Sequence, residues 1–198
     1  MNKLQTALAF GGLLSSSQID QLTALFKQRE LKADEYLQEF NTVVNEIAFI
    51  QAGALRVFGV EANGNDVTKC FIRENQFFAN LESYYSAQPT PDAVQAVIPT
   101  VVYTIPFPVF EKQFKLIPNL FIFSKSIAEM TLLNGIKDND FLNFGDAKTK
   151  YLEFLKRYPQ LAQQVPQQYI ASYLKITPQS LSRLRKNIIT KQAWNKPF

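Results

Sequence analysis

The sequence predicts an α+β protein: a β-rich N-terminal half, then a long helix, then an all-helical C-terminal unit. Three observations carry this. From about Glu35 to Ile105, short β-type runs alternate with turn residues. Leu116, Leu120, Phe123, Ile127 and Met130 then recur at steps of four and three, the period of a helix with one apolar seam. Finally, residues 166–186 have the apolar spacing of two short helices joined by a tight turn.

Taken in order, residues 15–32 read as a helix, with Ser17 as a cap and Ile19, Leu22, Leu25 and Phe26 at helical spacing. The β region opens with Ile47 to Ile50, followed by Gly53 and Leu55 to Val60. The pair Asn63-Gly64 is a hairpin signal, and Val67 to Ile72 forms the returning strand. Ala93 to Ile98 and Val101 to Ile105 complete a set of short strands suited to a closed or rolled β structure. Pro106 and Pro108 mark the change to helix, and Phe141 to Phe144 reads as a short extended piece. Asp146 is placed to cap a helix from Ala147 to Tyr158.

Composition narrows the chemistry. The chain has 198 residues, of which 46% are hydrophobic, enough for one large domain or two small ones. It contains no histidine, which removes histidine triads, histidine acid–base chemistry and most zinc sites. Cys70 is the single cysteine, so an intramolecular disulfide scaffold is excluded and a reducing, cytoplasmic setting is expected. Cys70 itself reads as a core strand residue. No Gly-rich phosphate loop, signal peptide or membrane-length apolar run is present, and no nucleophile–base pair accompanies the carboxylates. An enzyme is therefore not expected.

Charge separates the two halves. Residues 147–198 hold ten lysines and arginines against one acid, Glu153, a net +9, whereas residues 1–146 carry −5. A basic module faces phosphates or an acidic surface. Within it, Ile170, Ala171, Leu174, Ile176, Leu181 and Leu184 fall where a helix-turn-helix buries apolar side chains. Thr177 is a suitable N-cap and Pro178 a suitable first helical residue. On the opposite face stand Gln179, Arg183, Lys186 and Thr190, with Ser182 at its edge. Amide and guanidinium groups of this kind read base edges in a major groove. Lys175 occupies the turn position that usually carries Gly, so a positive φ is expected there.

Rolled strands, a seam helix and a C-terminal helix-turn-helix, in that order, resemble the cyclic-AMP receptor protein (Crp/Fnr) family of bacterial transcription regulators. The closest likeness runs from Tyr151 to Pro159 and from Val165 to Lys186, and is to the variant common in Bacteroidetes; in the roll, Gly53 and Glu82 are the better markers. The resemblance implies a cyclic-nucleotide-binding-like β-roll (a jelly roll) with flanking helices over residues 1–108. A dimerisation helix or linker would follow over 109–137, and a helix-turn-helix domain over 138–198. It places Thr177, Pro178, Gln179, Ser182, Arg183 and Lys186 at double-stranded DNA. The seam residues Leu116, Leu120, Phe123, Ile127 and Met130 would join two copies of the chain, or else lie on the chain's own β domain. RNA polymerase is a further partner the family admits; a membrane is not.

The roll departs from the family pattern. Members that bind cyclic nucleotides carry Gly-Glu and, some ten residues later, an Arg that neutralises the cyclic phosphate. Here Leu81 precedes Glu82, and Pro91 or Asp92 stands where the Arg belongs. A partly buried phosphate would lack its counter-charge, so cyclic AMP is not the expected effector and no cofactor is implied. A different small molecule bordered by Glu82, Tyr84, Tyr85 and Thr131 is one reading of this region; a capped turn with core tyrosines is the other. The chain thus reads as a homodimeric regulator on a near-palindromic operator, with a ligand-binding or scaffolding module lacking DNA readout as the alternative.

Overall fold

A computed structural model describes residues 2–194, with side chains described through Ile188. The expected domain end at Phe198 and the side chains of Thr190, Lys191 and Lys196 lie outside the described residues.

Two short helices, α1 (Lys3–Leu8) and α2 (Ser16–Thr23), precede the roll. The cap of α2 is Ser15 rather than Ser17: its side chain accepts from the Gln18 amide while Gln18 returns a bond to the Ser15 amide. The expected helix over 15–32 stops at Thr23. Residues Lys27–Leu31 are instead a strand, β1, paired antiparallel with residues 100–104. β1 lies at a sheet edge, which suits its charged sequence and is invisible to helical periodicity.

The remaining strands are β2 (Tyr36–Gln38), β3 (Glu46–Ala52), β4 (Ala54–Val60), β5 (Asp66–Arg73), β6 (Phe77–Ala79), β7 (Ala93–Ala96) and β8 (Thr100–Pro106). They form two antiparallel four-stranded sheets, ordered β1-β8-β3-β6 and β2-β7-β4-β5. Leu31, Ile50, Leu55, Ile72, Val94 and Val102 fill the space between the sheets. Gly53 makes the β3–β4 turn with φ +92°, and a Cβ there would meet Thr100 Oγ1 at 2.5 Å. Cys70, expected in the core, is exposed on β5, an edge strand.

Helix α3 (Leu81–Ser86) lies between β6 and β7, and α4 (Phe107–Lys112) follows β8. The long helix α5 (Asn119–Asn143) buries Leu120 and Phe123 in one cluster with Phe49 and Ile105 of the roll and Phe110 of α4. It absorbs residues 141–143, which were expected to be extended, because Leu142 is buried in the C-terminal core and Phe141 packs on Tyr173. Only Phe144, its C-cap, is extended.

The seam expectation is corrected accordingly. Leu120 and Phe123 are buried within the chain's own roll and Ile127 packs beside them, because that side of α5 faces the sheet. Leu116 precedes α5 and is exposed, as is Met130. The outward apolar residues of the helix are Phe121, Ile122, Leu132, Leu133 and Ile136.

Four helices close the chain: α6 (Ala147–Arg157), α7 (Pro159–Gln164), α8 (Gln167–Tyr173) and α9 (Pro178–Trp194). Asp146 caps α6 by accepting from the Thr149 amide at 2.8 Å. No helix among the described residues is long and apolar enough to cross a membrane.

Candidate nucleic-acid interface and effector cavity

Helices α8 and α9 meet across the turn 174–177, and Ile170, Ala171, Leu174 and Leu181 are fully buried between them. The turn is locked by backbone bonds from Lys175 to Ser172 and from Ile176 to Ala171. Lys175 has φ +56°, the conformation expected for this position. Thr177 Oγ1 accepts from the Ser180 amide at 3.1 Å, so the cap and the Pro178 start fix the first turn of α9. Thr177, Pro178, Gln179, Arg183 and Lys186 are exposed, and Ser182 is half-buried at the edge of their face.

This unit is docked on the outer face of the second sheet. Arg56 of β4 is 2% exposed, with its guanidinium 3.7 Å from the Phe58 ring centroid and 3.8 Å from that of Tyr169 on α8. Its Nε donates to Gln95 Oε1 and its Nη2 to Asp66 Oδ2. Ser172 of α8 accepts from the Thr68 amide at 2.9 Å and donates to the Asp66 carbonyl at 3.1 Å, covering the edge of β5.

Near its C-terminal end, α5 is tied to the same unit. Asp138 accepts from Arg157 at 2.9 Å and from the hydroxyls of Tyr158 and Tyr173. Burial, then the Asp138 carboxylate, push the Tyr158 phenol up to about 12. Burial and the neighbouring Tyr158 and Asp138 push Tyr173 up as well.

The sequence-predicted effector residues divide. A cavity of about 470 Å³ lies between the roll, α3, α4 and α5, and Tyr85 and Thr131 both line it. Glu82 does not; it is exposed in the first turn of α3. Tyr84 stacks on Phe107 at 4.0 Å and donates to Glu111 Oε2, which makes it a packing residue. The walls are instead apolar and rich in aromatic rings, with Phe77, Phe110, Phe114, Phe121 and Phe123 prominent. Tyr85 and Thr131 were the sequence's pointers to this region; the phenylalanines were not singled out. Asp92, which with Pro91 stands where the family's arginine is expected, is paired with Lys69 at 2.7 Å. No group of three or more potential metal-ligating residues occurs among the described residues.

Residues 28–115 match the family model of the cyclic nucleotide-binding domain. A transcriptional regulator assigned to the Crp/Fnr family from Eubacterium rectale superposes with a TM-score of 0.69, at 11% identity over 94% of this chain and 93% of that one. The fold is that of the Crp/Fnr regulators. FixK2 from Bradyrhizobium japonicum gives a TM-score of 0.68 at 18% identity, covering 84% of this chain and 86% of its own. The catabolite activator protein of Thermus thermophilus gives 0.56 at 14% identity, covering 94% and 88%. No curated protein matches the sequence significantly. The Crp/Fnr fold accounts for the roll, the long helix and the C-terminal helix pair in one architecture.

Proposed function

We propose that this protein is a DNA-binding transcription regulator that acts as a homodimer on a near-palindromic operator. One observation carries the reading: Gln179 and Arg183 stand exposed on α9 while Leu181, between them, is fully buried against α8. This arrangement leaves an amide and a guanidinium free for base edges and fixes the helix beneath them. The basic surroundings of α9 supply phosphate contacts and a salt-dependent affinity. Phe121, Ile122, Leu132, Leu133 and Ile136 form the outward apolar stripe that a second copy would cover. Two recognition helices would then reach successive major grooves, about 34 Å apart.

The roll serves as a sensor over residues 1–108, the helical stretch 109–137 joins the dimer, and 138–198 reads DNA. Cyclic AMP is not the effector, because Pro91 or Asp92, the latter already held by Lys69, stands where the family's phosphate-binding arginine belongs. The aromatic cavity at Tyr85 and Thr131 suits an apolar small molecule.

Selection from random duplexes tests the assignment. An enriched inverted repeat is expected, with Arg183→Ala lowering its affinity by about tenfold or more. Absence of enrichment over bulk DNA would leave a ligand-binding or scaffolding module instead.

A further inference from the structure

A second cavity, of about 450 Å³, opens between the roll and the C-terminal helices. Gly53 and the β5–β6 turn, with Arg73, Glu74 and Asn75, form one wall; the α6–α7 junction from Lys156 to Leu161 forms the other. Its lining is polar, unlike the aromatic cavity, and its size suits a molecule as large as a nucleotide.

The charges in this cleft are unevenly satisfied. Glu74 is engaged twice, by Lys3 Nζ at 2.6 Å and by the Gly53 amide at 3.2 Å. Arg157 is engaged by Asp138 and Glu153. Two cations are less fully engaged, one on each wall. Arg73 has no hydrogen-bonding or ion-pair partner for its side chain among the described residues, and its Nε is buried without an acceptor. Its guanidinium lies 4.6 Å from the Tyr158 ring centroid, a contact that holds the group in place without satisfying its N–H donors. Lys156 is 79% exposed, and its ion pair with Glu153 spans 3.9 Å. Arg73 and Lys156 both line the cleft, and an oxyanion is the ligand that a guanidinium and an ammonium on facing walls can hold together.

We infer that this cleft binds a phosphorylated small molecule, whose oxygens accept from Arg73 on the roll and from Lys156 on the C-terminal unit. The bound anion bridges the two halves of the chain. The inference goes beyond the DNA reading and stands without it.

Inorganic pyrophosphate, titrated calorimetrically into the full chain at constant ionic strength, provides the test. Saturable binding is expected in the parent, weakened about tenfold or more by Arg73→Gln and by Lys156→Gln. Lys156 is exposed, so its variant folds normally and keeps the test decisive if Arg73→Gln does not. Arg183→Gln should leave pyrophosphate binding unchanged. A lack of saturable binding, binding in both cleft variants as tight as in the parent, or loss in Arg183→Gln overturns the site. DNA carries the same phosphate chemistry, so affinity for a random duplex should be unaffected by Arg73→Gln. A parallel loss there would give the cleft to the DNA backbone and overturn the small-molecule assignment.

Discussion

Arg56 and Tyr169 lie 113 positions apart in the chain, yet the guanidinium of one sits 3.8 Å from the ring centroid of the other. The Phe58 ring lies 3.7 Å from the same guanidinium, and Gln95 and Asp66 accept from its N–H groups. A strand of the roll and the first helix of the helix-turn-helix are thereby joined through one side chain. Replacing Arg56 with Ala removes both stacks and leaves a void at the interface. We expect a loss of about 2–4 kcal/mol in urea unfolding, and faster proteolysis between the two halves. Unchanged stability and cleavage would show that the docking does not depend on Arg56.

The two sides of α5 should respond differently to substitution. Phe123 is 3% exposed in the roll core, so Phe123→Ala should cost about 3–5 kcal/mol of unfolding free energy. Leu133 is 57% exposed, so Leu133→Glu should leave the unfolding of the protomer nearly unaltered while shifting sedimentation from dimer to monomer. Dimerisation that survives Leu133→Glu and the companion Ile136→Glu would place the self-association face elsewhere.

Two positive-φ positions carry opposite expectations. At Gly53 a methyl group would meet Thr100 Oγ1 at 2.5 Å and the Pro99 carbonyl at 2.6 Å, so Gly53→Ala should destabilise by about 2–4 kcal/mol. At Lys175, with φ +56°, Gly removes a steric penalty, and Lys175→Gly should stabilise by up to about 1 kcal/mol. Thermal denaturation of the pair reads both signs.

Alkaline pH should weaken the contact between α5 and the C-terminal helices. Tyr158 keeps its proton in the folded state up to about 12, against an ordinary phenol near 10. Its contribution is complete below the ordinary value and is lost as pH rises through the folded one, because the unfolded chain ionises first. Stability should therefore begin to fall near pH 10, and Tyr158→Phe should flatten that decline. Tyrosinate absorbance followed beside the melting temperature measures it; an equal decline in the variant would exclude Tyr158 as its source.

The helix-turn-helix was legible because its signals are local. Thr177 caps, Pro178 starts the helix, and Leu181 and Leu184 repeat within one turn, so a short window contains the whole motif. β1 was not legible, since Lys27 to Leu31 become a strand only through pairing with β8, some seventy residues away. The seam spacing on α5 was real, but spacing cannot distinguish a partner subunit from the chain's own sheet, and Leu120 and Phe123 chose the sheet. Tyr85 and Thr131 were found in the aromatic cavity, whereas its walls come from β6, α4 and α5 and share no linear pattern. Arg73 belongs to no motif at all; only the folded cleft sets it apart.

Ser172 caps the border of β5, and behind it Phe71, Ala54 and Val97 are sealed beneath Phe154 and Tyr173. A fragment truncated after α5 would bare this greasy margin and free the Thr68 amide to recruit strands from neighbouring molecules. The roll cut at that point is therefore expected to need a substitute cover, or to clump.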